Sequence, residues 1–435
     1  MIKIRKVRRY VGLYLLIFSV CLLSVRPVTA MTMEQAVRLA VTGSPDVQAS
    51  RISEASSKLR LETARKNTWP AMTLNGSYLV SSTRDGITDF VGANGSREKD
   101  LTADLIWPIF RGGALLARID GAGAMVKAGL HQTETKRIKI AGITVSAFVR
   151  AAGLEQIVKI YSAFVDQLGE HLRKVKIAYQ NGTVPEIDIN RAETALEQTR
   201  SKALSLKEDS ARAREILSIL IGGNPDGPLN VSDWGGLSPL LSKDITGLTE
   251  KMVNNFPSLK ASMARIMAAR ASVRVAKAAR LPKIDIIAGT GWQTVGHVRT
   301  NNIGWQAGIT ISFPFFDAGL RERGLEISRN SLHEKELLKE TVLRHLRQSL
   351  VDAVRLHDRS LYILQSLNHA VLAAGKALRE ARAGYREGVL SHLDLMDAWR
   401  TLTDIEVNRW NAMMELKDSS YRITLLTDGE RGIFR

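Results

Sequence analysis

The sequence WPIFRGG at residues 107–113 recurs in similar form as FPFFDAG at residues 313–319, an offset of 206 positions. Other landmarks pair at this offset or at one of 212, namely Pro45 with Pro257, Trp69-Pro70 with Leu281-Pro282, Tyr179 with Tyr385 and Gly182 with Gly388. A repeat this long exceeds the unit of a solenoid, which is stacked many times. The sequence therefore predicts one large module present twice, as residues 31–240 and residues 241–435.

Each copy is expected to contain two stretches of extended chain. These stretches are rich in β-branched and aromatic residues, and they are Met72 to Ser81, Leu101 to Trp107, Ile284 to Gln293 and Ile303 to Phe313. Turn-forming residues at Asp85-Gly86 and at residues 92–96 separate the first two. A tilted strand of about ten residues crosses a bilayer, but a barrel needs about eight strands. Four strands per chain therefore predict that several chains share one barrel.

A long helix is expected after each pair of strands, from Ala114 to about Tyr179 and from Leu320 to Tyr385. At about 1.5 Å per residue, such a helix is roughly 100 Å long, which excludes a compact globule. The chain is expected to turn at residues 181–185 and again at Gly388. A shorter helix then returns in each copy, the first from Glu186 to Ile221 and the second as far as Leu426.

The first thirty residues have the pattern of a secretory signal peptide, with a basic start, an apolar run from Tyr10 to Val25 and small residues at Val28-Thr29-Ala30. An uncleaved membrane anchor is the alternative, although the run is shorter than the ~20 residues of a spanning helix. The only cysteine, Cys21, lies inside this run without the preceding small residue of a lipoprotein signal. No lipid anchor, disulfide or thiolate metal site is therefore expected in the mature chain.

The chain carries a net charge of +17, with 61 Lys and Arg against 44 Asp and Glu. The first thirty residues hold six of the basic residues and no acid, which leaves +11 for the rest. In an exported chain this balance favours contact with anionic lipid head groups, or a solvated helix face, over nucleic acid binding. No later apolar run approaches the length of a spanning helix, so entry into a membrane is expected through strands alone.

Motifs that carry catalytic chemistry are lacking in the sequence. The eight histidines show no metal-ligand spacing, and neither a nucleophile elbow nor a phosphate-binding loop is present. The chain is therefore not expected to be an enzyme or to hold a metal or cofactor, and His392 is expected to be a solvated surface residue. An aromatic belt at the membrane interface, with core packing as the alternative, is expected from Trp69, Trp107, Trp292 and Trp305.

Three duplicated or characteristic motifs together resemble the TolC outer-membrane efflux family. They are the opening TMEQA at residues 32–36 with Ser44-Pro45, the Pro-x-Phe-x-x-Gly strand ends, and the Tyr-x-x-Gly-x5-Asp hairpins at Tyr179 and Tyr385. The resemblance covers residues 31–429. It implies a mainly α fold with a β-barrel portion, in which a homotrimer forms a 12-stranded outer-membrane barrel, four strands per chain, continued by a long periplasmic helical tube.

The two copies of this pattern differ in charge at one position. Arg111 stands where the second copy has Asp317. The departure concerns only local contacts at the junction of strand and helix.

The same resemblance implies the outer-membrane channel of a tripartite export system, a passive exit duct for type I protein secretion or for efflux of drugs and other small molecules. Its implied partners are a periplasmic membrane-fusion adaptor, an inner-membrane ABC exporter or proton-driven pump, and outer-membrane lipid. The absence of a lipoprotein cysteine slightly favours type I secretion over efflux of small molecules. A periplasmic coiled-coil scaffold or adaptor without a pore is the alternative, although it does not account for the paired strands.

The resemblance places the functional residues at the two hairpin tips. The adaptor-docking tips are matched by Gly182, Thr183, Gly388, Val389 and Leu390. The paired acids that narrow the periplasmic gate are matched by Asp394 and Asp397, and Tyr385 matches an aromatic residue of its closed state.

The two acids are three positions apart and therefore share a helix face. In a trimer they would place six carboxylates around one axis, which favours cations. Helix capping is the alternative for Asp394, since Ser391 precedes it by the spacing of a capping box. The same spacing relates Thr183 to Glu186. Arg191, the counterpart of Asp397 in the first copy, is expected to pair with one of the two acids.

Overall fold

The protein is described from a computed structural model that covers residues 30–81, 96–225, 227–235, 244–295 and 304–434. The elements in chain order are α1 (Met33–Gly43), α2 (Pro45–Lys66), β1 (Ala71–Ser81), β2 (Ser96–Phe110), α3 (Ala114–Gln180), α4 (Glu186–Ile221), α5 (Ile245–Asn255), α6 (Pro257–Ala278), β3 (Lys283–Val295), β4 (Gly304–Ser312), α7 (Leu320–Arg386) and α8 (His392–Thr427). Residues 1–29 of the expected signal peptide, and the turn residues 85–86 and 92–95, lie outside the described residues.

The two halves of the chain repeat their helices with equal lengths. α1 and α5 have 11 residues each, α2 and α6 have 22, α3 and α7 have 67, and α4 and α8 have 36. The predicted strands and helices are therefore confirmed, with β2 beginning earlier than expected at Ser96. The division of the chain into units at residue 240 stays a prediction.

Polar side chains and proline define where the helices begin. Thr32 and Gln35 form a reciprocal capping box at the start of α1, and Asp244 accepts a hydrogen bond from the amide of Gly247 at the start of α5. Pro45 and Pro257 occupy the first turns of α2 and α6. A proline in the first turn sacrifices no helical hydrogen bond. These local signals therefore fix the same starting points in both halves.

The helices pack lengthwise. α2 and α4 both lie along α3, and α6 and α8 both lie along α7, so two shorter helices follow each long one. α3 also contacts α6 and α8, which joins the two halves. A core around the fully buried Phe148 of α3 and Leu217 of α4 lies midway along the assembly of helices. Far from it, at the hairpin ends, a second core joins all four long and returning helices.

Among the described residues, α3 contains a window that is long and apolar enough to cross a membrane by length and composition. The expectation that no such run exists was therefore wrong. More than half of that window is buried inside the protein. Packing against the neighbouring helices accounts for its apolar character, because a helix buried on several sides needs apolar residues around most of its circumference.

The four strands form one antiparallel sheet in the order β1-β2-β3-β4. Each half of the chain supplies one neighbouring pair, and β2 joins β3 between the halves. Within the described part of the chain, the outer edges of β1 and β4 have no partner strand. Their backbone groups are therefore free to pair with strands of other chains.

The two faces of this sheet differ in polarity. Because side chains alternate along a strand, the cross-strand register assigns each residue to a face. One face is mostly apolar and largely exposed, with Lys99 and Thr290 among its polar members, and it carries Met72, Leu74, Leu101, Leu105, Trp107, Ile284, Ile286, Ala288, Trp292, Trp305, Ala307, Ile309 and Ile311. The other face is mostly polar, with Ile106 and Ile287 among its large apolar members, and it carries Thr73, Asn75, Ser77, Asp100, Thr102, Asp104, Lys283, Asp285, Gln306, Thr310 and Ser312.

Candidate functional site

The two hairpin tips turn through glycines with left-handed backbone angles. Gly182 has φ 72° and Gly388 has φ 74°, and each amide donates to a tyrosine carbonyl three residues earlier, Tyr179 at 2.8 Å and Tyr385 at 3.3 Å. An added Cβ at either glycine would meet no atom within 4 Å. The backbone angle, rather than space, is therefore what demands glycine at these turns.

Thr183 closes the end of α3 instead of starting α4. Its amide and its hydroxyl both donate to the carbonyl of Ala178, at 3.0 Å and 2.8 Å. The residue that precedes α4 is Pro185, which offers no capping side chain. The expected capping box of Thr183 with Glu186 was therefore wrong, because the hydroxyl is used by the preceding helix.

Val389 and Leu390 continue the second tip. Their amides both donate to the carbonyl of Gly384, at 2.8 Å and 3.1 Å. The side chain of Leu390 lies so close to Gly384 that an added Cβ there would be 2.8 Å from it. Val389 is 75% exposed. Val389 is therefore the free apolar side chain of this tip, whereas Leu390 stabilises the turn.

Asp394 caps α8. Its amide donates to the Ser391 hydroxyl at 3.2 Å, and its carboxylate accepts from the amide and the hydroxyl of Ser391 at 2.9 Å and 2.6 Å. These hydrogen bonds hold the pKa of Asp394 below its usual value. The capping alternative for this residue is thus present in the structure, and its carboxylate keeps its negative charge.

Asp397 lies one turn further along α8 and is exposed. Its carboxylate pairs with Arg400 of the same helix at 2.7 Å. Arg191 pairs with Asp188 of its own helix at 3.8 Å, so the expected pair with Asp394 or Asp397 was wrong. Residues three apart on one helix are neighbours, and this proximity favours the local pairs.

A buried ring cluster lies behind the tips. Nε2 of His171 on α3 is 2.8 Å from Nδ1 of His392 on α8, and the two rings stack at 4.8 Å with an interplanar angle of 11°. Tyr385 and Trp399 meet His171 edge-on at 5.6 Å and 5.2 Å. We refer to these four side chains as the tip ring cluster.

The expectation that His392 is a solvated surface residue was wrong, since His392 and His171 are each only 5% exposed. His392 is the first residue of α8, and Leu395 and Trp399 follow it at the spacing of one helix face. Both of these side chains are buried. His392 therefore faces inward with them.

Burial sets the ionisation of this cluster. It lowers the pKa of His171 to about 4, helped by the neighbouring His392 and Lys174. Burial also lowers the pKa of His392, which Asp188 raises and Arg191 lowers by smaller amounts. The pKa of the Tyr385 hydroxyl is raised by burial and then by Asp188. Both imidazoles are therefore neutral at pH 7.

His171 and Trp399 were missed by the sequence reasoning. A signal was available for His171, which lies on the same helix face as Leu168, Leu172 and Val175. A histidine on such an apolar face is buried. Its partner was not predictable, because the contact joins residues 221 positions apart.

A cleft of about 730 Å³ lies between the two tips. Its wall includes Lys174, Thr183, Asp188, Arg191, Tyr385 and His392. Of the predicted docking and gate residues, Thr183, Gly388, Leu390 and Tyr385 line this cleft, whereas Gly182, Val389, Asp394 and Asp397 are not part of its wall. Among the residues that the structure describes, no three His, Cys, Asp or Glu side chains are grouped as a metal site.

Arg111, which differs from its counterpart Asp317 in the second copy, lies at the end of the long helices that is opposite to the tips. Its guanidinium pairs with Asp285 of β3 at 2.7 Å. Asp317, its counterpart, accepts hydrogen bonds from the amide and the side chain of Arg321 in its own half. The two copies therefore close the junction of strand and helix with different ion pairs.

Comparison with known proteins places this architecture among efflux proteins. The family model described as outer membrane efflux protein matches residues 36–223 and 248–428. Nodulation protein T of Rhizobium leguminosarum bv. trifolii is 22% identical over 381 residues, which are 85% of this chain and 79% of that protein. The cation efflux system protein CusC of Escherichia coli (strain K12) is 25% identical over 232 residues, about half of each protein, 51% of this chain and 49% of CusC.

The fold is also found in a solved structure of the outer-membrane channel OprN. The two structures agree with a TM-score of 0.79 at 20% sequence identity, over 91% of this chain and 89% of that one. At this level of identity the likeness concerns the fold. It confirms the predicted combination of a four-stranded sheet with long helical hairpins.

Proposed function

Because the chain belongs to the outer membrane efflux protein family, we propose that three copies of it form the passive exit duct of a tripartite export system. The chain is an outer-membrane efflux duct and not an enzyme, as the sequence predicted. The scaffold alternative, which lacked a pore, is thereby set aside. The trimer, its partners and its gate are proposed here beyond what membership of the family gives.

The observation that carries the proposal is the two-faced sheet with two unpaired edges. Its apolar face suits lipid and its polar face suits water, as in barrels that alternate outward apolar and inward polar residues. Pairing β4 of one chain with β1 of the next satisfies both open edges, and a barrel built in this way has no edge left. Three chains then give the 12 strands that the family resemblance implies.

The long helices supply the second part of the duct. A helix of 67 residues, at about 1.5 Å per residue, extends roughly 100 Å from the sheet. Each half of the chain places one such helix beside shorter helices that run along it. In the trimer these hairpins form the tube across the periplasm, and its far end is the tip region around Gly182 and Gly388.

The tips are the proposed docking site for a periplasmic membrane-fusion adaptor. Gly182 and Thr183 present compact backbone at the first tip, and Val389 presents an exposed apolar side chain at the second. Leu390 supports this turn from within. Behind the adaptor, an inner-membrane ABC exporter or proton-driven pump supplies the energy, since the duct itself has no catalytic machinery.

The gate is proposed at the first turns of α8. Asp394 is fixed by its cap and Asp397 lies exposed one turn further on, so three chains bring six carboxylates to the entrance. Tyr385 packs behind them against His171. The carboxylates favour cations at the closed entrance, and docking of the adaptor moves the hairpins apart.

Envelope fractionation with chemical cross-linking, followed by planar-bilayer recording, tests this proposal. We expect trimers in the outer-membrane fraction and discrete channels from the purified protein. A monomer without channel activity would refute it. Export in cells treated with a protonophore or with an inhibitor of ATP hydrolysis then assigns the pump, because only a proton-driven pump stops immediately when the proton gradient collapses.

A further inference from the structure

The hydrogen bond between His171 and His392 joins the two halves of the chain close to the tips. His171 belongs to the first hairpin and His392 begins the returning helix of the second. A change in this bond therefore acts on the relative position of the two hairpins.

The bond depends on the protonation of both rings. A neutral imidazole has one donor and one acceptor nitrogen, whereas a protonated imidazole has two donors and no acceptor. Two neutral rings, or one neutral and one protonated ring, can form the observed bond. Two protonated rings cannot, and they also repel each other at 2.8 Å between nitrogens.

The surroundings offer little to stabilise a positive charge. Nε2 of His392 is buried and has no hydrogen-bond partner among the described residues. The charged groups that act on the pair are Lys174 of α3 and Asp188 and Arg191 of α4, and Tyr385 of α7 contacts both rings. Arg382 of α7 lies over the neighbouring Trp399 ring, and Asp394 stands at the start of α8, close to His392 in the chain. Cations outnumber acids in this set, and Asp394 is engaged by Ser391.

Protons nevertheless have a route to the pair. His392 lines the cleft between the tips, as does Tyr385. Opening of this cleft by a small separation of the hairpins hydrates both rings. The separated state therefore accepts protons that the packed state rejects.

We propose that His171 and His392 form a pH-sensitive latch, which holds the two hairpins together while the rings are neutral and releases them when the periplasmic side becomes acidic. The inference rests on the proposed function, in which the tips surround the entrance of the duct. It adds a control of that entrance by acidity, separate from docking of an adaptor.

The direction of the effect follows from linkage. The packed state holds the pKa of His171 at about 4, whereas a hydrated histidine titrates near ~6.5. Below the hydrated pKa, the released state binds more protons than the packed state, so acid favours release. Between these two pKa values, His171 shifts the equilibrium by up to about tenfold per pH unit, and His392, whose pKa is also lowered by burial, acts in the same direction. The latch is closed at neutral pH and opens as the pH falls from about 6.5 towards 4.

Single-channel recording of the purified trimer tests the latch, with the periplasmic side titrated from about pH 7.5 to about pH 5. We expect the open probability of the parent channel to rise at least about tenfold over this range. The double variant His171→Gln/His392→Gln retains hydrogen-bonding amides that do not titrate, and its opening should not change with pH. His369→Gln, at an exposed position of the same protein, should behave like the parent. Asp394 stays charged over this range because its pKa is lowered.

Hydrogen exchange of the unmodified protein provides a measurement that needs no variant. After correction for intrinsic rates, peptides around His171 and His392 should lose protection at about pH 5 relative to about pH 7.5, while peptides around Phe148 keep theirs. Channels that open equally at both values, or tips equally protected, would overturn the latch and leave the duct intact. A protein without channels would overturn the proposed function, and the entrance latch with it.

Discussion

Ile309 of β4 lies opposite Ile286 of β3 on the apolar face of the sheet, and the next residue, Thr310, lies opposite Asp285 on the polar face. Adjacent positions on one strand thus provide a matched test of which face meets lipid. We expect Ile309→Arg to reduce trimers in the outer membrane, because a charge on the lipid face is destabilising, by up to about 2–4 kcal/mol at the bilayer midplane and by less towards the interface. Cross-linking of the membrane fraction measures the loss.

Thr310→Arg is the control for this prediction. It should leave trimer yield near that of the parent and lower the cation preference of the channel, because the added charge faces water in the lumen. Equal trimer yields for the two variants would contradict the assignment of the faces.

The tip glycines should be required for export and dispensable for assembly. In Gly182→Val/Gly388→Val, two β-branched residues replace glycines with φ of 72° and 74°, which distorts both turns. Export should be lost while trimers form normally. Gly169→Val is the matched control, since Gly169 lies inside α3 with open space around its Cβ position. Normal export by the double variant would remove these turns from the docking site.

The two acids of α8 should differ in their effects. Asp397→Ala should reduce the cation preference of the channel at reversal potential, because a carboxylate is lost from the entrance. Asp394→Ala should reduce it too and should also destabilise the start of α8 by about 1 kcal/mol, since its cap is lost. Ser391→Ala breaks the cap and keeps the charge, and it should change thermal stability alone. An unchanged reversal potential in the double Asp variant would exclude a gate role.

A tight helix contact between the halves should limit stability. At Gly153 of α3, an added Cβ would overlap the side chain of Met414 on α8. The overlapping atoms belong to the flexible end of Met414, which can move aside, so Gly153→Ala should destabilise the protein by at most about 1 kcal/mol, and Met414→Ala in the same chain should relieve the overlap. Gly169→Ala, again in open space, should be neutral or slightly stabilising. Thermal unfolding of the trimer measures all three variants.

The regular elements were predictable from sequence because their signals are local. Each signal acts within a few residues, as do the prolines at Pro45 and Pro257, the turn at Gly182 and the alternation along β4. Because the chain is duplicated, such signals occur in both halves. The contacts of the tip depend instead on how separate helices pack. The role of Thr183 was mispredicted because two helix ends can use its one hydroxyl group. The exposure of His392 was mispredicted because its burial depends on how α3 packs against the start of α8.

The open edges of β1 and β4 bear on how a newly made chain reaches its destination. Until neighbouring copies arrive, each chain carries two rows of unsatisfied backbone groups beside a lipid-seeking surface, a combination that invites misassociation. A chaperone that shields this sheet would prevent such contacts during transit, and in the proposed trimer a pair of copies still leaves two edges open. In that trimer, ring closure by the third copy removes both open edges at once, so folding of the sheet and assembly become a single concentration-dependent event.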